Sequence, residues 1–259
     1  MQTIDSFIHR LRFRFVSPAQ RPGKSYLRAE FRLRRLGVPL GLLNARFPEH
    51  QLALTRSLWR LARVRGMSTF TLAGVINEAV RHMPADQSYV NVGTWQGFTL
   101  FAGMLGNPTK RCIGVDNFSE TVGPEFGSVR ETFFERFEAW RSPSHEFFEG
   151  DYVDYFENHH RGSVGVYLYD GEHSFENQLR ALEVAEPFFA DGCLILIDDA
   201  YAAAPRDATE QFMASRPGRY EVIMDQPVAS KAHPTFWNGF LIFRRRAAES
   251  SAVGSGEGV

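Results

Sequence analysis

The sequence contains few cysteines: Cys112 and Cys193 are the only two among 259 residues. Each lies within an apolar run, which is typical of a buried, reduced thiol in an intracellular protein, and neither has the spacing of a metal ligand. No stretch approaches the roughly 18 apolar residues of a transmembrane helix. The N-terminus lacks the apolar core of a signal peptide, because His9, Arg10 and Arg12 interrupt it. These absences predict a cytoplasmic protein.

A strong overall charge is also absent, since 29 Lys and Arg stand against 30 Asp and Glu, for a net charge of -1. We therefore expect no binding to nucleic acid. The first 46 residues nevertheless hold ten Lys and Arg and only two acids, Asp5 and Glu30. For residues 1–67 we predict a basic helical extension. Its basic face is either solvated or contacts an acidic acceptor, a partner subunit or anionic headgroups at the inner face of a membrane.

Apolar periodicity becomes regular in residues 68–246, where predicted strands and helices alternate. The strands are predicted at 89–92, 111–115, 146–149, 165–169, 193–198, 220–224 and 237–243. Alternation predicts an α/β fold, a Rossmann-like, doubly wound and mostly parallel sheet of seven strands. The last two strands have no helix between them and should form an antiparallel C-terminal hairpin. Residues 247–259 are small and polar and are predicted to be a disordered tail.

A glycine loop follows the first predicted strand and contains Gly93 and Gly97. Its spacing is not the G-x-G-x-x-G of nicotinamide and flavin sites, which argues against a dehydrogenase. Asp116, after the second strand, is placed to accept from the hydroxyls of a ribose. Asp151, after the third, is placed to accept from an adenine amino group. Together these residues outline a nucleoside cofactor held at the carboxyl edge of the sheet.

The fourth and fifth strands end in further acids, Asp170 and the pair Asp198 and Asp199. Three carboxylates at neighbouring strand ends predict a site for Mg²⁺, Mn²⁺ or Ca²⁺. His173, three residues beyond Asp170, is a candidate general base because imidazole exchanges protons near neutral pH. Glu172 is the competing candidate for base or ligand. Trp95, Tyr201, Phe236 and Trp237 are candidates for lining an acceptor pocket, with ordinary packing as the alternative.

Over residues 68–246 the chain resembles the class I S-adenosylmethionine-dependent methyltransferases. The resemblance rests on the glycine loop, Asp116, Asp151 and the closing strands. It implies a cofactor site formed by Asn91, Gly93, Thr94, Gly97, Asp116, Asp151 and Asp170. The family usually has Glu or Asp where this chain has Asn91.

The segment from Asp170 to His173 and the pair at 198 and 199 are most similar to metal-dependent, macrocin-type sugar O-methyltransferases. That resemblance implies metal binding by Asp170, Asp198 and Asp199, and proton abstraction by His173. It also implies a sugar hydroxyl in a glycan, glycolipid or glycosylated metabolite as acceptor, and an extension that covers the site or forms a homo-oligomer. A catechol or phenolic acceptor and a non-catalytic cofactor-binding protein are the alternatives.

Overall fold

The computed structural model describes residues 3–48, 52–64, 66–119 and 128–247. The helices are α1 (Ile4–Arg10), α2 (Lys24–Arg35), α3 (Leu40–Asn44), α4 (Leu52–Trp59), α5 (Phe70–His82), α6 (Phe98–Met104), α7 (Val129–Trp140), α8 (Tyr152–Asp154), α9 (Phe175–Ala185) and α10 (Ala203–Ala214). The strands are β1 (Arg12–Phe13), β2 (Ala45–Arg46), β3 (Gln87–Val92), β4 (Arg111–Asp116), β5 (His145–Glu149), β6 (Ser163–Tyr169), β7 (Phe189–Ile197), β8 (Tyr220–Gln226) and β9 (Phe240–Arg245).

Seven of these strands form one sheet in the order β5-β4-β3-β6-β7-β9-β8. Strands β3 to β7 are parallel, whereas β9 is antiparallel to both β7 and β8. The chain runs outward from β3 to β5 and then returns to β6 on the other side of β3, so the strand order reverses there. The predicted doubly wound, mostly parallel sheet with an antiparallel C-terminal hairpin is confirmed.

Alternate residues of each strand face opposite sides of the sheet and build two apolar cores. In β3, Tyr89 packs on the side of α5 and α6, whereas Val90 and Val92 belong to the core beneath α9 and α10. All three are at most 4% exposed. Parallel strands covered on both faces are almost continuously apolar, and this is why their apolar runs could be recognised in the sequence.

The N-terminal extension packs on the same face of the sheet as α5. Phe7 of α1 and Leu58 of α4 are fully buried in the apolar core that also contains Leu72 of α5. The extension includes a two-stranded antiparallel ladder that pairs Arg12 with Arg46. This ladder was not predicted, because a strand of two residues has no periodicity to detect.

The cysteines, the C-terminal tail and membrane-spanning helices were also subjects of prediction. Cys112 and Cys193 are buried and unpaired, as predicted, and burial raises the pKa of both thiols. The predicted tail lies outside the described residues from position 248 onward. Of the helices that the structure describes, none combines the length and apolar composition that crossing a bilayer requires.

Two strands begin more than two residues away from their predicted start. β7 begins at Phe189, because Pro187 ends the preceding α-helix early and a 3-10 turn follows. β9 begins only at Phe240, since Trp237 and Gly239 have φ angles of 45° and 93°, which an extended strand does not accommodate. Residues 227–239 therefore form a loop between β8 and β9.

Buried histidines are expected to make the fold sensitive to mild acid. His160 is 1% exposed, and its ring nitrogens lie 2.9 Å from the Tyr155 hydroxyl and 3.1 Å from the Gly162 carbonyl oxygen. Burial lowers the pKa of His160 from 6.5 to about 4, and it lowers the pKa of His145 as well. Because the unfolded chain binds these protons more readily, the stabilisation is present above pH 6.5 and is lost as the pH falls towards 4.

We expect His160 alone to contribute a loss of about 2 kcal/mol in the free energy of unfolding across that interval. Urea denaturation at several pH values measures it. In His160→Gln the free energy of unfolding should depend less steeply on pH than it does in the unsubstituted protein. His159, whose side chain is 51% exposed, supplies the control, since His159→Gln should retain the original dependence. Equal slopes for both variants would contradict the assignment to His160.

Candidate active site

An open cleft of about 1050 Å³ lies at the carboxyl edge of the parallel strands, beside the reversal between β3 and β6. Open α/β sheets bind their ligands at this position. The volume is sufficient for a cofactor and a second small molecule together. Of the predicted site residues, the cleft is lined by Gly93, Thr94, Asp116, Asp151, Asp170, His173, Asp198 and Asp199, whereas Asn91 and Gly97 lie outside its lining.

Gly93 begins the glycine loop, residues 93–97, at the point where two strand ends come closest. Its φ is 78°, and its N–H donates to the Val115 carbonyl at 2.9 Å. Asp170 donates its N–H to the Val92 carbonyl, also at 2.9 Å, which holds the end of β6 against the loop. A Cβ on Gly93 would lie closer than 3.0 Å to the Asp170 carbonyl oxygen. Glycine is therefore required here both by the backbone conformation and by the close approach.

Asp116, at the end of β4, holds the glycine loop in shape. Its Oδ2 accepts from the N–H groups of Thr94 and Trp95, at 2.7 and 2.8 Å, and from the Thr94 hydroxyl at 3.2 Å. Its Oδ1 accepts from the N–H of Phe118 at 2.7 Å. The sequence predicted Asp116 as an acceptor for ribose hydroxyls. The structure adds that its carboxylate fixes the loop against which a cofactor would lie.

Asn91 is fully buried behind the loop. Its Nδ2 donates to the carbonyls of Gly93, at 3.0 Å, and Val92, at 3.3 Å, and its Oδ1 accepts from the Tyr89 hydroxyl at 3.3 Å. A carboxylate has no hydrogen to donate to these carbonyls, which explains why an amide side chain fits at this position. Gly97 precedes α6 with a φ of 91°. Asn91 therefore supports the loop from behind, and Gly97 ends the loop at the start of α6.

Two further acids of the cleft are engaged in local structure. Asp151 caps α8, since its Oδ1 accepts from the N–H of Val153 at 2.8 Å. Glu172, the competing candidate for the base, accepts a hydrogen bond from the Asn177 side-chain amide. That bond restrains the carboxylate of Glu172.

Asp170, Asp198 and Asp199 meet where β6 and β7 end. Asp198 is 3% exposed, and its Oδ1 accepts from the N–H of Asp199 at 2.9 Å. Burial, together with the negative charge of Asp199, raises the pKa of Asp198 to about 7. Asp199 itself has a φ of 49°, an uncommon conformation for a residue other than glycine.

His173 is oriented by these acids. Its Nε2 lies 3.1 Å from Oδ2 of Asp199 and 4.0 Å from Oδ1 of Asp170. The other carboxylate oxygen of Asp199 accepts from Nδ2 of Asn238 at 2.8 Å. Asn238 belongs to the loop between β8 and β9, and its Oδ1 accepts from the N–H of Ala232 at 2.9 Å. These two contacts, from His173 to Asp199 and from Asp199 to Asn238, therefore connect the candidate base to a loop near the C-terminal end of the sequence.

The carboxylates do not form a ready metal site. Among the residues that the structure describes, no group of three or more His, Cys, Asp or Glu side chains is arranged to hold a metal ion. Asp199 faces His173 instead. The donor chemistry nevertheless fits a hard divalent cation, because three carboxylates lie at one edge and a cation would offset the repulsion that raises the pKa of Asp198.

Backbone strain is concentrated around the cleft. Within the described residues, four of the five non-glycine residues with positive φ line it: Trp95, Phe118, Asp199 and Trp237. Strain of this kind clusters at functional sites. Of the four aromatic residues considered for an acceptor pocket, Trp95 and Trp237 line the cleft. Phe236 is buried in the core, and Tyr201 lies outside the lining.

The sequence did not indicate Asn238 as a functional residue. It lies in no recognisable motif and is separated from Asp199 by α10 and β8. Only the antiparallel pairing of β7 with β9 brings the two side chains together.

Residues 90–200 match the family model of a methyltransferase domain. The match runs from β3 to just beyond β7 and includes the glycine loop, Asp116, Asp151 and the acidic strand ends. No curated protein matches the sequence.

Several solved structures share the fold. A protein from Corynebacterium glutamicum superposes with a TM-score of 0.55 and 15% identity, over 87% of this chain and 98% of that protein. The cofactor-bound Rv0187 from MTB gives a TM-score of 0.55 and 16% identity, over 88% and 100%. The O-methyltransferase NovP gives 0.52 and 14% identity, over 68% and 80%.

At these identities the superpositions establish the fold alone. The chain therefore shares the fold of these proteins, and its residues 90–200 are similar to a methyltransferase domain.

Proposed function

We propose that the protein transfers a methyl group from S-adenosylmethionine to a hydroxyl oxygen of a sugar, in a glycan, a glycolipid or a glycosylated metabolite. The observation that carries this proposal is the pair of His173 and Asp199, 3.1 Å apart in the cleft beside the glycine loop. A histidine held by a carboxylate suits proton abstraction from a hydroxyl. The fold shared with the O-methyltransferase NovP also supports transfer to oxygen.

The cofactor would lie over the glycine loop and supply the methyl group from its sulfonium. Gly93 permits close approach to the backbone, and Asp116 and Asp151 offer carboxylate oxygens to the ribose and the adenine. Asp170, which also lines the cleft, would accept from the ammonium group of the methionine portion. Methyl transfer gains mainly from alignment of the two reactants, so a rigid loop of this kind contributes directly to the rate.

In the proposed reaction His173 accepts the proton of the acceptor hydroxyl, and the oxygen attacks the methyl carbon in line. Asp199 orients the imidazole and stabilises the imidazolium that forms. Trp95 and Trp237 line the same cleft, and the flat apolar faces of their rings are complementary to the C–H faces of a sugar ring.

A divalent cation is a further part of the proposal. Asp170, Asp198 and Asp199 would hold it, with Mg²⁺ as the expected ion and Mn²⁺ or Ca²⁺ as alternatives. Bound there, the cation would act as a Lewis acid that lowers the pKa of the acceptor hydroxyl.

Asn238→Ala is expected to lower kcat about tenfold, equivalent to about 1.4 kcal/mol in the barrier, while the affinity for S-adenosylmethionine stays unchanged. The reason is that Asp199 loses the 2.8 Å hydrogen bond that fixes its carboxylate for His173. Steady-state kinetics and calorimetric titration of the cofactor measure the two quantities. Asn158, which donates to Asp154 at 2.8 Å outside the cleft, supplies the matched control. An equal loss in Asn158→Ala, or no loss in Asn238→Ala, would contradict the role of Asn238.

The proposed function is tested by titrating S-adenosylmethionine calorimetrically with Mg²⁺ and with a chelator, followed by assays with radiolabelled cofactor on glycosides and catechols. We expect cofactor binding in both buffers and methylated glycosides only with the cation. Transfer that is indifferent to the chelator would remove the metal from the mechanism. Transfer to catechols alone would favour a phenolic acceptor. Absence of cofactor binding would favour a non-catalytic protein.

A further inference from the structure

The second helix of the extension, α2, exposes large apolar side chains to water. Leu27 is 46% exposed, Phe31 is 65% exposed, and Leu36, directly after the helix, is 77% exposed. None of the α2 side chains that the structure describes is buried. A helix on the surface of a globular protein ordinarily turns its apolar stripe towards the core. The exposed apolar side chains of α2 therefore indicate a binding surface.

Cations surround this apolar stripe. The helix contains five Lys and Arg residues and a single acid, Glu30. Leu27 and Phe31 are four residues apart and share one face, which Arg28 and Arg35 also share at helical spacing. The guanidinium of Arg35 lies over the ring of Phe31, 5.4 Å from its centroid.

The single acid of α2 is turned towards the protein. Glu30 and Tyr26 are four residues apart on the opposite face, and both are partly buried. The helix thus presents its positive charge and its apolar side chains outward and its negative charge inward. This is the arrangement of helices that lie in the headgroup region of a membrane.

We propose that α2 docks the protein onto an anionic lipid surface. Leu27 and Phe31 would enter the boundary between headgroups and acyl chains, while the neighbouring arginines contact lipid phosphates. A second copy of the chain fits the patch less well, because a two-fold contact would place one positive helix against another. The proposal concerns binding alone and does not depend on the proposed methyl transfer.

The test is cosedimentation of the full chain with vesicles of phosphatidylglycerol and phosphatidylcholine, and with vesicles of phosphatidylcholine only. We expect binding to the anionic vesicles, weakened at high salt, and at least tenfold weaker binding to the neutral ones. The double variant Arg28→Glu with Phe31→Ser should lose at least tenfold in vesicle affinity. Circular dichroism would verify that this variant is folded.

The matched control is Arg180→Glu with Val222→Ser, which makes the same charge change and also replaces an exposed apolar side chain by serine, elsewhere in the fold. It should bind vesicles as the unsubstituted protein does. Three results would overturn the proposal: no binding to anionic vesicles, equal binding to both kinds of vesicle, or equal losses in the two double variants. If the α2 variant instead dissociates an oligomer while vesicles are not bound, the patch is a contact between copies of the chain.

Discussion

His173→Ala is expected to lower kcat by about 10³-fold, within the range that a general base contributes, with cofactor affinity changed by less than about threefold. The imidazole lies 3.1 Å from Asp199 at the edge where the acceptor would bind, and the glycine loop is held by other residues. Removing the base should therefore affect the chemical step and spare the cofactor. Single-turnover kinetics and calorimetric titration of S-adenosylmethionine measure the two effects separately. Added imidazole should restore part of the activity.

The fold supplies a matched control for this substitution. His159 lies 3.4 Å from Asp154, and both side chains are half exposed outside the cleft. His159→Ala should leave kcat unchanged. Glu172→Gln should also retain most activity, because the Asn177 amide restrains that side chain. Turnover of His173→Ala within threefold of the unsubstituted enzyme would remove His173 as the base, and a large loss in Glu172→Gln would transfer the role to Glu172.

Gly93→Ala is expected to abolish measurable cofactor binding and to lower the free energy of unfolding by about 3 kcal/mol or more. The added Cβ would meet the Asp170 carbonyl group and lie 2.8 Å from the Gly171 nitrogen. These are backbone atoms of the segment that carries Asp170 and His173, so they cannot move aside as a flexible side chain would. Urea denaturation and titration with S-adenosylmethionine give the two results.

Gly192→Ala separates the two causes that act at Gly93. Gly192 has a φ of 80°, close to the 78° of Gly93, but nothing lies within 4 Å of a Cβ built on it. This variant should lose only about 1 kcal/mol, the cost of placing an alanine in the left-handed region. Equal destabilisation by the two substitutions would show that backbone conformation, and not the contact with Asp170, decides the requirement for glycine.

The elements that sequence patterns predicted well are those buried on both sides. The runs that became β3, β4, β6 and β7 are apolar along most of their length and bounded by loops, so hydrophobic patterning alone located them. The ladder of β1 and β2 and the start of β9 were missed for the opposite reason. Two-residue pairings and left-handed turns leave no periodic signal, and they form only when distant segments provide the hydrogen-bond partners.

In the candidate site, too, some residues could be located from the sequence and others could not. Acids at strand ends could be placed in one cleft because parallel strands all end at one edge of a sheet. The parallel strands β4, β6 and β7 end at this edge, which explains why Asp116, Asp170 and Asp199 line a single cleft. The sequence could not show that Asn91 supports the loop instead of lining the cleft. Its side chain turns behind the loop and donates to backbone carbonyls. Asn238 lies on a loop whose position depends on strand pairing, and no motif marked it.

By itself, the sequence determined the alternation of strands and helices, the glycine loop and the acids that follow the strands. These follow from local chemistry: apolar periodicity, the conformational freedom of glycine and the solvation of carboxylates where strands end. Only the tertiary structure decided that Asp116 fastens the loop, that Asp199 holds His173, and that Asn238 fixes Asp199. Those relationships depend on hydrogen bonds between residues far apart in sequence, because strand order and register set which side chains meet.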